Sequence, residues 1–333
     1  MRIVYVVESL EVSGGVKIIL EHADGLASRG HDVSVVTRDA RHPWIDVKVP
    51  VTEVGQFDGT TLPPADVHVA TWFPTVVPTV RAAKAPKIFH FSQGWEAIYP
   101  NTCDRRDEID EAYAQPIPKI LSSAHLLKIF EGRYPGPYHV IPYTLKVEDY
   151  KPVGEKAAPN QPPVVGVVGP FETSNRGKGI PFGLRAVNRL KAEGRALRLH
   201  RASQLPLSEE ERRLTVPDAY LHAASVAGMV RFYREIDVLL HPSFEAEGFP
   251  VPPGEAMASG VPVVLTTIPS YDPLPRDVAG WAAPGDDAAM AREVARLLDD
   301  PQLWRARRRR GLEVAATFSM DEVLDRLEDI FRA

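Results

Sequence analysis

The chain reads as an α/β protein of two doubly wound domains, and three features of the sequence predict it. Short apolar runs of strand length alternate with stretches of helical period along most of the chain. That is the pattern of parallel sheets covered by helices on both faces. A length of 333 residues exceeds what one hydrophobic core usually serves. Residues 151–163, KPVGEKAAPNQPP, carry four prolines and no helical period, and read as an interdomain linker. The expected organisation is a first domain over 1–150, the linker over 151–163, a second domain over 164–318, and a helix-bearing terminal segment over 319–333.

In chain order, residues 3–7 read as a buried strand, and the Ser13-Gly14-Gly15 loop leads into a helix over 16–29 with apolar positions at Val16, Ile19, Leu20, Ala23, Leu26 and Ala27. Gly30 closes that helix and residues 33–37 form the next strand, so the chain opens with a βαβ unit. Gly14 and Gly15 suit either a tight turn or the close approach of backbone to a ligand phosphate at a helix start. The fingerprint is neither a full G-x-G-x-x-G nor a P-loop. Strands are expected over 66–71, 87–91, 119–123 and 138–141, with helices over 75–84 and 125–133 between them. Beyond the linker, strands over 164–168, 197–201 and 237–241 alternate with helices over 180–191 and 226–235. Helices over 287–298, 302–317 and 320–332 follow, the last opened by a capping box, Ser319-Met-Asp-Glu322.

Composition excludes several classes. Residues 1–150 hold 15 Lys and Arg against 19 Asp and Glu, and the remainder holds 24 against 25, so neither half is a basic nucleic-acid or anionic-membrane surface. Apolar and charged contents of 44% and 25% are those of a soluble globular protein. No uninterrupted apolar run approaches the ~18 residues of a membrane span, and the start lacks the pattern of a signal peptide. The single cysteine, Cys103, fits a reducing cytosol. No D-x-D occurs and the ten histidines show no metal-ligand spacing, so no metal is expected.

The most informative stretch lies between two apolar strands, at 237–241 and 261–266: a loop, then a short helix expected to start near Pro253 and to end at Gly260. Prolines 252 and 253 suit a first helical turn, where a missing N–H costs nothing. Glu255 then falls in that first turn, where the positive end of the helix favours a carboxylate by roughly 0.3–1 kcal/mol. Glu247 lies eight positions earlier on the loop. In open α/β sheets such loops, at the carboxyl ends of the strands, are where ligands bind.

Glu247, Gly248, Phe249, Pro250, Glu255, Ala256, Met257, Ala258, Gly260, Pro262, Val263 and Val264 together resemble the E-x7-E signature of retaining, family-four-like glycosyltransferases with the GT-B fold. The resemblance covers nearly the whole chain, most strongly from Val238 to about Pro284. It implies two Rossmann-like domains facing each other across a cleft, with the helix 320–332 crossing back so that 319–333 joins the first domain. It further implies an acceptor on the first domain, a nucleoside-diphosphate sugar on the second as co-substrate, and no other cofactor.

By the same resemblance Glu255 accepts hydrogen bonds from the ribose hydroxyls, Glu247 lies near the donor sugar, and the amides around Gly248, Phe249 and Pro250 contact sugar and phosphate. Relatives carry Gly-Arg where this chain has Gly169-Pro170, then Lys-Gly where it has Lys178-Gly179. Lys178 matches; Arg176, on the same loop, is expected to supply the second cation. In the first domain, residues 88–96 (IFHFSQGWE) resemble a strand and loop that often ends in a histidine. Gln93 falls nearer that position than His90, and Gln93 with Glu96 matches a Gln-Gly-aromatic-Glu branch of the family. Gly14 and Gly15 belong to the same expected substrate surface. Ala224 lies where relatives hold the base through backbone groups.

The implied activity is transfer of a sugar, with retention, to a hydroxyl of a glycan, lipid-linked or small-molecule acceptor, by a cytoplasmic protein with at most peripheral contact at the inner membrane face. A nucleotide-sugar-binding protein that has lost transfer is the alternative, motivated by Pro170. A nicotinamide-dependent dehydrogenase would leave the E-x7-E block unexplained.

Overall fold

The structure is a computed structural model that describes residues 1–41, 44–99, 102–154, 156–171, 177–244, 248 and 251–333. The chain divides into two compact units, Met1–Thr144 with Ser319–Ala333, and Leu145–Phe318.

In the first unit seven strands form one parallel sheet: β1 (Arg2–Val7), β2 (Asp32–Thr37), β3 (Val51–Glu53), β4 (Val67–Ala70), β5 (Lys87–Ser92), β6 (Lys119–Leu121) and β7 (Tyr138–Val140), in the order β3-β2-β1-β4-β5-β6-β7. Its helices are α1 (Gly14–Ser28), α2 (Phe73–Ala82), α3 (Arg106–Tyr113) and α4 (Ala124–Phe130), together with a terminal helix over Met320–Arg332. Residues 3–7 of β1 are all buried, as a strand covered on both faces requires. Ser13 caps α1, its hydroxyl accepting from the Gly15 and Val16 amides at 3.2 and 3.5 Å.

The second unit opens with α5 (Val147–Tyr150) and holds β8 (Val164–Val168), β9 (Arg198–Ser203), β10 (Ala219–His222), β11 (Val238–His241), β12 (Val263–Thr266) and β13 (Ala279–Ala282). These strands are also parallel, in the order β10-β9-β8-β11-β12-β13. Helices α6 (Ile180–Ala192), α7 (Glu209–Leu214), α8 (Val226–Glu235), α9 (Val251–Ala258), α10 (Asp287–Asp299) and α11 (Pro301–Ala315) complete it. Val165, Val167, Leu184, Leu240, Val294 and Trp304 lie in one buried core of strands and helices. The terminal helix of the first unit is α12 (Met320–Arg332).

Three details differ from the sequence expectations. Residues 145–150, read with the first domain, group with the second unit, because α5 packs on α9. The stretch 151–163 is fastened rather than free: Asp237, fully buried, accepts from the Asn160 and Val164 amides at 3.0 and 2.7 Å and pairs with Lys156 Nζ at 2.7 Å. Helix α9 starts at Val251, two residues before the expected start at Pro253, and ends at Ala258. Pro252 and Pro253 still fall in the first turn, where amides have no intrahelical acceptor. Glu255 becomes the fifth helical residue, two positions further in than expected. Gly260, at φ +69°, closes the helix as expected.

Helix α12 is docked on its own unit from end to end. Arg29 donates to Asp325 and Asp321 at 2.6 and 3.1 Å, and His31 Nε2 lies 2.9 Å from Glu328. Lys87 Nζ donates to the last carbonyls, Phe331 and Arg332, at 3.0 and 2.7 Å, where the negative end of the helix favours a cation. Ser319 accepts from the Glu322 amide at 3.2 Å, one half of the expected capping box, while the Glu322 carboxylate accepts from Arg326.

Candidate active site

In each sheet the strand order reverses beside the first strand of its unit, and the loops after the two strands at that point leave in opposite directions, opening a crevice at their carboxyl ends. In the second unit these strands are β8 and β11. The loops that follow them carry the Gly-rich 169–179 segment and the E-x7-E segment.

Backbone contacts join the two loops. The Phe244 amide donates to the Gly177 carbonyl at 2.9 Å. Gly179, at φ +59°, lies so close to β11's exit that a Cβ there would be 2.1 Å from the Pro242 carbonyl oxygen, so only glycine fits. Beneath, Arg201 is fully buried and forks three ways, donating to the Val167 and Gly169 carbonyls at 2.6 and 2.9 Å and to Glu211 at 2.7 Å. That fork fixes the exit of β8, where Pro170 stands.

Lys178 is on this stitched loop. Burial pushes the His241 imidazole, at the end of β11, down to about 3, and the nearby Lys178 charge pushes the same way. His241 Nδ1 lies 3.1 Å from Ser243 Oγ and 3.0 Å from the Tyr271 hydroxyl, which hold the buried ring at the exit of β11. Gly248 is buried on the loop after β11. Arg176, Glu247, Phe249 and Pro250 lie outside the described residues.

Glu255 is buried on α9, and its two carboxylate oxygens accept from different tyrosines, Oε1 from Tyr150 at 2.6 Å and Oε2 from Tyr233 at 2.8 Å. Ala224 precedes Ser225, whose hydroxyl caps α8 by accepting from the Gly228 amide at 3.2 Å. Its neighbour Ala223 has a left-handed φ of +46° where the chain turns out of β10.

In the first unit Gln93 donates to the Gly15 carbonyl at 3.0 Å, bringing the loop after β5 to the start of α1. Glu96 is buried, and Tyr113 donates to its Oε2 at 2.5 Å. Ser92 Oγ donates to the Gly94 carbonyl at 2.7 Å and lies 2.9 Å from the Tyr113 hydroxyl. Burial raises the Glu96 carboxyl to about 7, against the lowering effect of the Tyr113 hydrogen bond. His90 is fully buried, with no hydrogen-bond partner on either ring nitrogen among the described residues, and its ring centroid is 4.6 Å from that of Tyr113. Burial, with a smaller push from Lys119, lowers it to about 3. It is a packed strand residue.

Each unit thus gathers its own candidates: Gly14, Gly15, Gln93 and Glu96 in the first, Lys178, Ala224, Gly248 and Glu255 in the second. Sequence reasoning missed Tyr150, Tyr233 and Arg201. No periodicity or motif marks them, since each acts on a partner distant in the chain. Among the described residues no group of three His, Cys, Asp or Glu could hold a metal ion, and no helix is long and apolar enough to cross a membrane.

Two doubly wound parallel sheets, each with its own switch point, define the GT-B fold class. Sucrose-phosphate synthase from Thermosynechococcus elongatus aligns over 99% of this chain and 98% of its own with a TM-score of 0.79 at 17% identity. HepE from Anabaena, solved with UDP-glucose, aligns over 100% of both chains at 0.77 and 15%. Residues 162–300, most of the second unit, match the family described as Glycosyl transferases group 1.

Curated relatives agree over shorter stretches. Identity to D-inositol 3-phosphate glycosyltransferase 1 of Catenulispora acidiphila is 36% over 104 residues, 31% of this chain and 25% of that protein. Identity to the lipopolysaccharide core biosynthesis mannosyltransferase LpsB of Rhizobium meliloti is 33% over 118 residues, 34% of this chain and 33% of that protein. The matched part spans a quarter to a third of each relative's length.

Proposed function

We propose that this chain is a nucleotide-sugar-dependent glycosyltransferase that works without a metal and with retention of anomeric configuration. The observation that carries the reading is the position of the Lys178 loop and the E-x7-E segment: both lie inside the family domain and follow the two strands of its switch point. The donor is a nucleoside-diphosphate sugar, with UDP the first nucleotide to try because HepE was solved with UDP-glucose. The acceptor is a hydroxyl of a glycan, lipid-linked or small molecule. The relatives named for inositol phosphate and lipopolysaccharide core support that range. The charge balance and the lack of an apolar spanning helix among the described residues support a cytoplasmic protein with at most peripheral membrane contact and no nucleic-acid partner.

In this reading Glu255 binds the ribose hydroxyls and Lys178 stabilises the departing diphosphate, with Arg176 as the second cation in place of the arginine lost at Pro170. Glu247 and the 248–250 backbone hold the donor sugar. Gly14, Gly15, Gln93 and Glu96 shape the acceptor side, and the backbone at Ala224 meets the base. The acceptor oxygen bonds to the anomeric carbon on the face from which the diphosphate departs, and the acceptor proton passes to a diphosphate oxygen. Positioning and fixed positive charge supply most of the rate.

Thermal unfolding with UDP, GDP, dTDP, ADP and NAD tests this. One nucleoside diphosphate at about 100 times its dissociation constant should add about 2.7 kcal/mol of stability and raise Tm by a few degrees. Glu255→Gln, which keeps the side-chain volume between the tyrosines, should cut that affinity by about tenfold or more. With the matching nucleotide sugar, the glycosidic product should keep the donor's configuration. A shift with NAD alone would overturn the reading. Nucleotide binding without diphosphate release across acceptors would favour a binding protein that has lost transfer, and an inverted product would remove retention.

A further inference from the structure

Two consecutive residues of β9 grip the peptide units on both sides of Gly169. The Gly169 amide donates to the Ala202 carbonyl at 2.9 Å, and the Gly169 carbonyl accepts from Arg201 Nη2 at 2.9 Å. Arg201 Nη1 holds the Val167 carbonyl at 2.6 Å, and Nε is tied to Glu211 on α7 at 2.7 Å. Gly169 itself sits at φ +134°, and a glycine backbone is free to take many shapes, so the turn needs outside contacts to keep this one. The held turn is also the seat of the cation-bearing loop. A Cβ on Gly169 would lie 3.8 Å from Lys178 Cβ and 3.1 Å from Cδ1 of Ile180, the first residue of α6. The Arg201 and Glu211 side chains are 0% and 1% exposed, so Arg201 acts through the backbone it holds. A buried ion pair is a poor device for stability, because apolar side chains of similar volume usually serve as well or better. The placement it imposes on the turn is what apolar groups would not supply.

We propose that Arg201 is a positioning residue for the diphosphate of the donor nucleotide: by holding Gly169 from beneath, it sets Lys178 at the exit of β8. The inference rests on the diphosphate role given to Lys178 above. Pro170 has no N–H to offer an anion, so the hold on the terminal phosphate depends on where a side-chain cation is placed. Loss of the fork therefore weakens the grip on that phosphate and leaves the nucleoside part of the ligand unaffected.

Calorimetric titration of UDP, GDP and ADP, each beside its monophosphate, provides the test, with Tm recorded for each protein alone. The proteins are wild type, Arg201→Lys, the double variant Arg201→Met with Glu211→Leu, and Lys178→Ala. Arg201→Lys keeps the charge beside Glu211 without the planar fork, and the double variant exchanges the buried pair for apolar groups. Wild type should bind the matching diphosphate about tenfold or more tighter than its monophosphate. Both Arg201 variants should lose about three- to tenfold of that ratio, while the monophosphate affinity changes by less than about twofold. Equal losses for the two nucleotides, or an unchanged ratio in a folded Arg201 variant when Lys178→Ala abolishes it, would overturn the proposal. So would loss of the folded state in both Arg201 variants, since the fork would then serve stability. If Lys178→Ala keeps the ratio, or no nucleotide binds wild type, the diphosphate role itself fails and takes the proposal with it, a result separable from failure of Arg201 alone.

Discussion

Glu96 shows how far a residue can be read from sequence. The Gln-Gly-aromatic-Glu pattern marks it, but not its surroundings: Tyr113 lies seventeen positions on and binds it in a buried network that also includes Ser92 and Gly94. Its carboxyl, raised to about 7 by burial, keeps its proton in the folded chain at pH values where the unfolded chain has lost it. Between about 4.5 and 7 the folded state therefore binds more protons, and stability from this group falls as pH rises. The loss is about 3 kcal/mol across that window. Urea unfolding of wild type and Glu96→Gln at pH 4.5, 6 and 8 checks it: the stability of the variant relative to wild type should rise with pH by about that amount, because only the wild type carries this loss. Glu255 teaches the same lesson, since the motif identifies the carboxylate and only the fold supplies Tyr150 and Tyr233.

At the scale of elements, the docking of α12 on α1 depends on one close approach. A Cβ on Gly25 would lie 2.7 Å from Leu324 Cδ1, and Leu324 is buried. Gly25→Ala should therefore cost about 1–3 kcal/mol by overpacking. Hydrogen exchange should accelerate in α1 and α12 while α6 and α10 of the second unit keep their protection. Arg29→Ala should do less, because its partners Asp321 and Asp325 are exposed and such pairs contribute up to about 1 kcal/mol. Helix α12 was legible to the residue, because Ser319 and the apolar face of Val323, Leu324, Leu327, Ile330 and Phe331 state both its start and its buried side. Strand β13, Ala279–Ala282, was not: its AGWA sequence lacks the branched residues that mark a strand, and its place is set by pairing with β12. Helix α3 was missed for a different reason, since RDEIDEAY buries only Ile109, Ala112 and Tyr113, too few positions to reveal a period.

For the molecule as a whole, acid stability follows from buried histidines. His22, His90 and His241 are held near about 3 by burial, so they stay neutral in the folded chain while the unfolded chain protonates below about 6.5. The unfolded state then binds more protons, and stability is lost as pH falls from 6.5 towards 3, by about 1.4 kcal/mol per unit for each histidine. Glu96 opposes one of the three down to 4.5. Thermal unfolding should show Tm falling steadily between pH 6.5 and 5, with the slope reduced in His90→Gln. The two doubly wound parallel sheets were largely legible at this scale, because alternation and length constrain them strongly. The residues that fasten 151–163 were not, because a proline-rich stretch looks alike whether it hangs free or is tied to a buried Asp237.

The close approach of Gly179 to Pro242 has a bearing on engineering this chain. Because the backbones of 177–179 and 242–244 touch without an intervening side chain, the two loops form a single transplantable part. A graft that replaces the segment after β11 with that of another protein must bring the matching glycine loop with it. A graft of one alone leaves either a collision or a gap where a cation-bearing turn was seated.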